Sequence, residues 1–200
     1  MIDLKNTTLV AIGSTKIELT LKAIDICKKY CNFYDIKYLT NELTPYTVKI
    51  DKINSIREYD NFVIKKLPYY VDSDFILTIH WDGFIVNPYA WTNTFFEYDY
   101  IGAPWHWWNN ICGNGGFCMK SKKFLETQKI LFDDNYIVND PDDVALCVKH
   151  RNDLINRNCQ YAPPDIAYRF STEYGGYYNY NSFGFHDLRV NPQFKHLIEQ

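Results

Sequence analysis

The chain has 200 residues, enough for one domain with a sizeable core and no need of a disulfide or metal staple. Hydrophobic residues make up 46% and charged residues 22%, and aromatics reach 18% through 17 Tyr, 13 Phe and 5 Trp, which excludes an intrinsically disordered chain. The formal net charge of -3 implies no strongly basic face, so neither nucleic acid nor an anionic membrane is expected as a main partner.

No apolar run approaches the ~18–20 residues of a membrane span. The opening MIDLKNTTLV lacks the charged and apolar regions of a secretory signal, so a cytoplasmic location is expected. Six cysteines stand at 27, 31, 112, 118, 147 and 159 without any CxxC pair. Free thiols are therefore expected, rather than a structural zinc site or a disulfide framework.

In chain order, TTLVAI at 7–12 is a short β-branched run followed by Gly13-Ser14-Thr15, which reads as strand then turn. Residues 19–30 carry Leu19, Ala23, Ile26, Cys27 and Tyr30 at helical spacing. A second strand is expected at 33–39, and strand, loop, helix, strand is the opening of a parallel α/β sheet. Another helix is predicted at 57–67. The run Phe75-Ile76-Leu77-Thr78-Ile79, apolar but for Thr78, predicts a central strand covered on both faces. Residues 81–108 read as an aromatic loop region. Gly113-Asn114-Gly115-Gly116 then precedes a brief strand at 117–119, and Ser121 is a fair cap for a helix starting at Lys122. Pro141-Asp142-Asp143 leads into a short helix at 144–150 with two acids in its first turn. From Gln160 onward little helical pattern is visible among Pro163-Pro164, Gly175-Gly176 and many tyrosines. With no repeat or linker, residues 1–200 are read as a single domain.

Several segments bear chemistry. His80-Trp81-Asp82-Gly83 follows the best central strand, and ligands of open parallel sheets bind beyond the carboxyl ends of the strands. An Asp there suits a hard divalent cation, Mg²⁺ or Mn²⁺, although Asp-Gly is also a common turn. The glycine-rich segment lets backbone N–H groups approach a ligand, or simply turns tightly; it matches neither GxGxxG nor a Walker A loop. Asp140, Asp142 and Asp143 offer a general base, or an acidic helix start. His186 in Phe183-Gly184-Phe185-His186-Asp187 reads as a metal ligand, a proton carrier or a structural histidine. Trp105, Trp107 and Trp108 with His106 suit stacking on sugars or core filling.

Taken together, VDSDFILTIHWDGFIVNPYAW, FFEYDYIGAPW, GNGGFCMKS, PDDVALC and FGFHD resemble, in that order, a family of domains of unknown function grouped with the GT-A-fold glycosyltransferases. The resemblance runs from about Leu9 to about His186. It implies a GT-A-like α/β fold: a Rossmann-like nucleotide-binding half with a mixed central sheet flanked by helices. It further implies a metal-dependent enzyme that transfers sugar from a nucleotide sugar, as a rule a UDP-sugar, to a glycan or other hydroxyl acceptor. Asp82 matches the last position of the D-x-D metal motif, whose first acid is replaced here by His80. His186 matches the C-terminal histidine that completes the shell around Mn²⁺ or Mg²⁺. Asp143 matches the base of the E-D-V motif of inverting enzymes. Ala11, Ile12, Ser14 and Thr15 match the segment that cradles uracil and ribose. Arg57, His80 and Trp81, with Asn114, Gly115 and Gly116 under the donor sugar, are the remaining candidate substrate contacts. Trp81, Trp105, Phe117 and Phe185 are expected to wall the sugar site. Two other readings follow from the same residues. A non-catalytic nucleotide-sugar or glycan-binding module is favoured by His80. A sugar-phosphate nucleotidyltransferase is disfavoured by the single lysine of the GSTK loop.

Overall fold

The computed structural model describes residues 1–173 and 181–199. Strand β1 (Ile2–Ile12) is longer than its apolar run because its first residues pair with the start of β2, Ile2 opposite Cys31. The chain leaves β1 through Gly13, whose φ of +150° favours glycine, and enters helix α1 (Ile17–Tyr30). Thr20, Ala23, Ile24, Ile26 and Cys27 form the buried face of α1; of the residues whose spacing predicts it, Ala23, Ile26 and Cys27 are buried and Leu19 and Tyr30 half-buried. Strands β2 (Cys31–Thr40) and β3 (Thr47–Lys49) extend the sheet on one side.

The helix expected at 57–67 forms in three pieces. Helix α2 (Ile56–Asn61) is capped by Ser55, whose Oγ accepts from the Glu58 amide at 3.2 Å. A π turn (Phe62–Lys66) and a 3₁₀ turn (Leu67–Tyr69) follow. Pro68 cannot donate to a continuing α-helix, so the regular spacing breaks before it. Strand β4 (Phe75–Ile79) sits where its apolar run placed it, between β1 and β8 (Phe117–Ser121).

The aromatic region holds short 3₁₀ turns, β5 (Tyr100–Ile101), and a small hairpin of β6 (Pro104–Trp105) and β7 (Ile111–Cys112). Ser121 caps α3 (Lys122–Leu131), accepting from the Phe124 amide at 3.0 Å. Helix α4 (Asp142–Val144) widens into a π turn (Ala145–Lys149) before α5 (Arg151–Asn156). The tail is more regular than its sequence suggested. Pro164, with φ already suited to a first turn, opens α6 (Pro164–Phe170), which buries Ala167 and Phe170. Then β9 (Ser171–Thr172) pairs in parallel with β10 (Gly184–Phe185). The Gly175-Gly176 pair and Tyr174, Tyr177, Tyr178 and Tyr180 lie outside the described residues.

The main sheet has six strands in the order β3-β2-β1-β4-β8-β5. The first four run parallel, and β8 is antiparallel to both neighbours. This is an α/β protein with a mixed central sheet flanked by helices. Alternating residues of β1 and β4 feed two apolar clusters, with Leu9, Ala11, Leu77 and Ile79 in one and Val10, Ile12 and Ile76 in the other. All six cysteines are unpaired and buried. Among the described residues, no helix is long and apolar enough to cross a membrane. Strands β2 and β3 lie on one side of β1 and β4 on the other, so the loops after β1 and β4 diverge and open a crevice at their carboxyl ends.

Candidate functional site

That crevice is a cleft of about 360 Å³. Ile12, Gly13, Ser14 and Thr15 line it at the end of β1 and in the loop beyond, Asn54, Ser55 and Tyr59 around the start of α2, and His80 and Trp81 after β4. Ser14 Oγ accepts from the Ile53 amide at 2.9 Å and so ties the first loop to the wall opposite. Of the ten expected substrate contacts, Ala11, Arg57, Asn114, Gly115 and Gly116 do not line the cleft, the last three being buried. Ala11 is fully buried among core residues below the cleft, because it alternates with the cleft-lining Ile12. Arg57 is exposed on α2 and does not line the cleft. Asn54, Ser55 and Tyr59 had no distinguishing pattern in the sequence.

Beside the cleft, the turn after β4 meets the turn after β10. His80, Asp82 and His186 each offer one ligand atom, and these atoms lie within 4.8 Å of one another. Asp82 Oδ1 stands 3.6 Å from His186 Nε2. The other ring nitrogen, His186 Nδ1, is 2.8 Å from Glu173 Oε1. Glu173 Oε2 accepts from the Trp105 indole N–H at 2.9 Å. The Asn114 amide is oriented by its Oδ1, which accepts from the Phe117 N–H at 2.9 Å, so its Nδ2 faces His186 and Glu173. His80 Nε2 is 2.6 Å from the Tyr59 hydroxyl, and the His80 and His186 rings meet edge to face at 5.2 Å.

Electrostatics separates the two histidines. Burial, then the nearby positive charge of His186 and Lys120, lowers His80 to about 3, so it is a neutral imidazole at physiological pH. Burial also pulls His186 down, but the hydrogen bond and charge of Glu173 outweigh it and its pKa is raised. Glu173 is lowered in return, against its own burial. Burial raises Asp82, with His186 opposing.

The glycine segment is explained by what it touches. A side chain on Gly116 would collide with His186 Nε2, and one on Gly115 would approach Asp142 Oδ2 to 2.8 Å. Gly113 lies flat against the Trp105 ring. Asp143 Oδ2 accepts from the Gly115 N–H at 3.4 Å, and its Oδ1 from the Val144 N–H at 2.8 Å. Asp142 is buried, and its own amide donates to Asp60 Oδ1 at 3.1 Å. Burial first, then the charges of Asp143 and Asp60, push Asp142 up to about 7, with the buried Lys120 opposing. Asp143 is raised by burial and by Glu173. Asp140 acts instead on Tyr136.

The aromatic expectation is corrected. Phe117 and Phe185 are fully buried in the core, and Trp105 is nearly so. Of the four rings expected to wall a sugar site, Trp81 alone lines the cleft. Glu173 was missed, since it stands alone after β9 with no motif around it.

Fold and site define an α/β protein whose mixed sheet presents a histidine–carboxylate cluster beside a crevice at its topological switch point. Residues 43–186 match the family described as "Protein of unknown function (DUF5672)", and the chain belongs to that family. The match covers His80, Asp82, Asn114 to Gly116, Asp143, Glu173 and His186, and leaves out the loop after β1. No curated protein matches the chain.

Proposed function

We propose that the protein is a metal-dependent glycosyltransferase with a GT-A-like fold that takes a nucleotide sugar, most simply a UDP-sugar, and passes the sugar to a hydroxyl acceptor. The observation that carries this reading is the approach of His186 Nε2 to Asp82 at the end of β4, beside the switch-point cleft. A divalent cation fits there. Gly116 keeps the face of Nε2 free of side chains, and Glu173 holds the opposite nitrogen. When bound, such a cation neutralises the departing diphosphate as a Lewis acid.

The chain's own residues supply the rest. Ser14, Thr15 and Asn54 give the cleft polar groups for ribose and base, and Trp81 gives it a flat apolar wall. Asp143, whose pKa is raised by burial and by the charge of Glu173, is the proton acceptor of this reading. The acceptor oxygen bonds to the anomeric carbon as the bond to the diphosphate oxygen breaks. The diphosphate leaves with that electron pair, and the hydroxyl proton goes to Asp143.

The test is a screen of UDP-sugars with Mn²⁺, following release or transfer of the sugar. Asp143→Asn is expected to cut turnover by ~10²–10⁴-fold with donor affinity retained. Near wild-type turnover in that variant would refute the base assignment. Tight donor binding with no release or transfer under any acceptor would instead favour a nucleotide-sugar-binding module, the reading that His80 in an acidic position supports.

A further inference from the structure

We propose that His80 is itself a cation ligand, and that His80, Asp82 and His186 form a two-imidazole, one-carboxylate site selective for nitrogen-preferring transition ions such as Zn²⁺ and Co²⁺ over Mg²⁺. This rests on Asp82 and His186 as cation ligands, and not on any sugar transfer.

The geometry fits one shared ion. Metal–nitrogen and metal–oxygen bonds of ~2.0–2.2 Å place two ligands on one ion at most ~4.4 Å apart. The Asp82–His186 pair, at 3.6 Å, is already inside that limit. The three ligand atoms lie within 4.8 Å of one another, so the widest pair closes by only a few tenths of an ångström on loading. Each imidazole has one nitrogen engaged by an oxygen partner. Tyr59 holds His80 Nε2 at 2.6 Å, and Glu173 holds His186 Nδ1 at 2.8 Å. With Tyr59 accepting the Nε2 proton, His80 Nδ1 keeps its lone pair, and a bound cation displaces any proton that His186 Nε2 shares with Asp82. Oxygen partners on the outer nitrogens fix tautomer and ring orientation in metal-binding histidines. Among the described residues, no hydrogen bond joins the two rings, although they lie 5.2 Å apart.

The donor set then decides the ion. Mg²⁺ demands near-octahedral oxygen ligation and parts from water reluctantly. Imidazole nitrogen favours Zn²⁺, Co²⁺ and Ni²⁺, and the affinity order of divalent ions rises from Mn²⁺ through Co²⁺. A carboxylate at position 80 would restore an oxygen-rich site, so His80 is the residue that sets selectivity.

The experiment uses chelator-treated full chain and the metal alone, with no nucleotide. Calorimetry is expected to give one Co²⁺ or Zn²⁺ per chain, bound at least ~10²-fold more tightly than Mg²⁺, and Co²⁺ should develop visible absorption bands of mixed nitrogen–oxygen ligation. His80→Asp should narrow the Co²⁺-to-Mg²⁺ affinity ratio at least ~10-fold, and His80→Asn should weaken Co²⁺ binding and alter its spectrum. In the wild-type chain, ¹⁵N spectra should show the His80 Nδ1 resonance shifting on Zn²⁺ addition, a readout that needs no variant to fold. Equal affinity for Mg²⁺ and Co²⁺, or a His80 resonance unmoved by Zn²⁺, would overturn the proposal. Asp82→Ala separates the two levels of the argument. Binding lost there but intact in His80→Asn removes His80 alone, whereas binding intact in both removes Asp82 as a ligand as well.

Discussion

Asp142 offers a sharp test of the electrostatics beneath the site. Its carboxyl is buried beside Asp60 and Asp143, and its pKa rises from the ordinary 3.8 to about 7. At 1.36 kcal/mol for each unit, the ionised form carries a penalty of about 4 kcal/mol in the folded chain. Between pH 4 and 7 the folded state holds a proton that the unfolded state has lost, so this contribution falls as pH rises and the full penalty stands above pH 7. Asp142→Asn keeps the shape and removes the charge. It also removes a counter-charge from the buried Lys120, so the gain falls short of the full penalty, at about 2 kcal/mol at pH 8. For a chain of this size that is a rise in Tm of roughly 4–8 °C. Urea unfolding of both chains at a series of pH values from 4 to 8 would measure it. The variant should match the wild type near pH 4 and exceed it progressively toward pH 8. A difference that stays constant with pH, or a variant less stable at pH 8, would refute the reasoning.

Other consequences are equally direct. Asp82→Ala should abolish the Mn²⁺-dependent rise in Tm on adding UDP, and an unchanged thermal shift would count against the carboxylate as a cation ligand. Gly116→Ala places a methyl against His186 Nε2 and should eliminate the Co²⁺ absorption bands; full-strength bands would show that the face of Nε2 is not where the ion sits. Glu173→Gln should lower the pH at which the His186 ring titrates, followed by NMR, because Glu173 is what lifts it; an unmoved titration would deny Glu173 that positioning role. Burial raises the thiol pKa at Cys27, Cys31, Cys112, Cys118, Cys147 and Cys159, so a thiol reagent should find no reactive group in the native chain and all six after unfolding. Rapid labelling of the native protein would contradict the buried placement.

The sheet was legible where burial is two-sided and the apolar run nearly continuous. Phe75–Ile79 reads as a central strand because nothing polar but Thr78 breaks it, and α1 reads as a helix because its apolar stripe keeps one spacing throughout. Ser121 was legible as a cap because its chemistry is local. Helix α6 escaped notice since it has only seven residues, and its two prolines suggested a loop although one suits a helix start. The candidate site was legible at His80, Asp82, Asp143 and His186 through the resemblance, and illegible at the partners of the two histidines. Tyr59 reaches His80 across 21 positions and Glu173 reaches His186 across 13, contacts that only the fold creates. The aromatic walls failed for a physical reason: Phe117 and Phe185 turn inward, where Phe117 packs beneath Gly184 and Phe185 against Phe84.

The short β9–β10 pairing has a bearing on how the molecule is made. It carries Phe183 and Phe185 onto Trp91, Phe117 and Phe84, and the same stretch delivers His186 to Asn114, 72 positions earlier in the chain. During synthesis the parallel sheet can form well before this stretch emerges from the ribosome. Until it does, those rings stay open to solvent and the cluster lacks one of its histidines. One late docking event therefore both seals a hydrophobic surface and completes the polar centre. Until that step the exposed rings are free to associate with other chains, so any substitution that delays the docking should show itself as aggregation during expression.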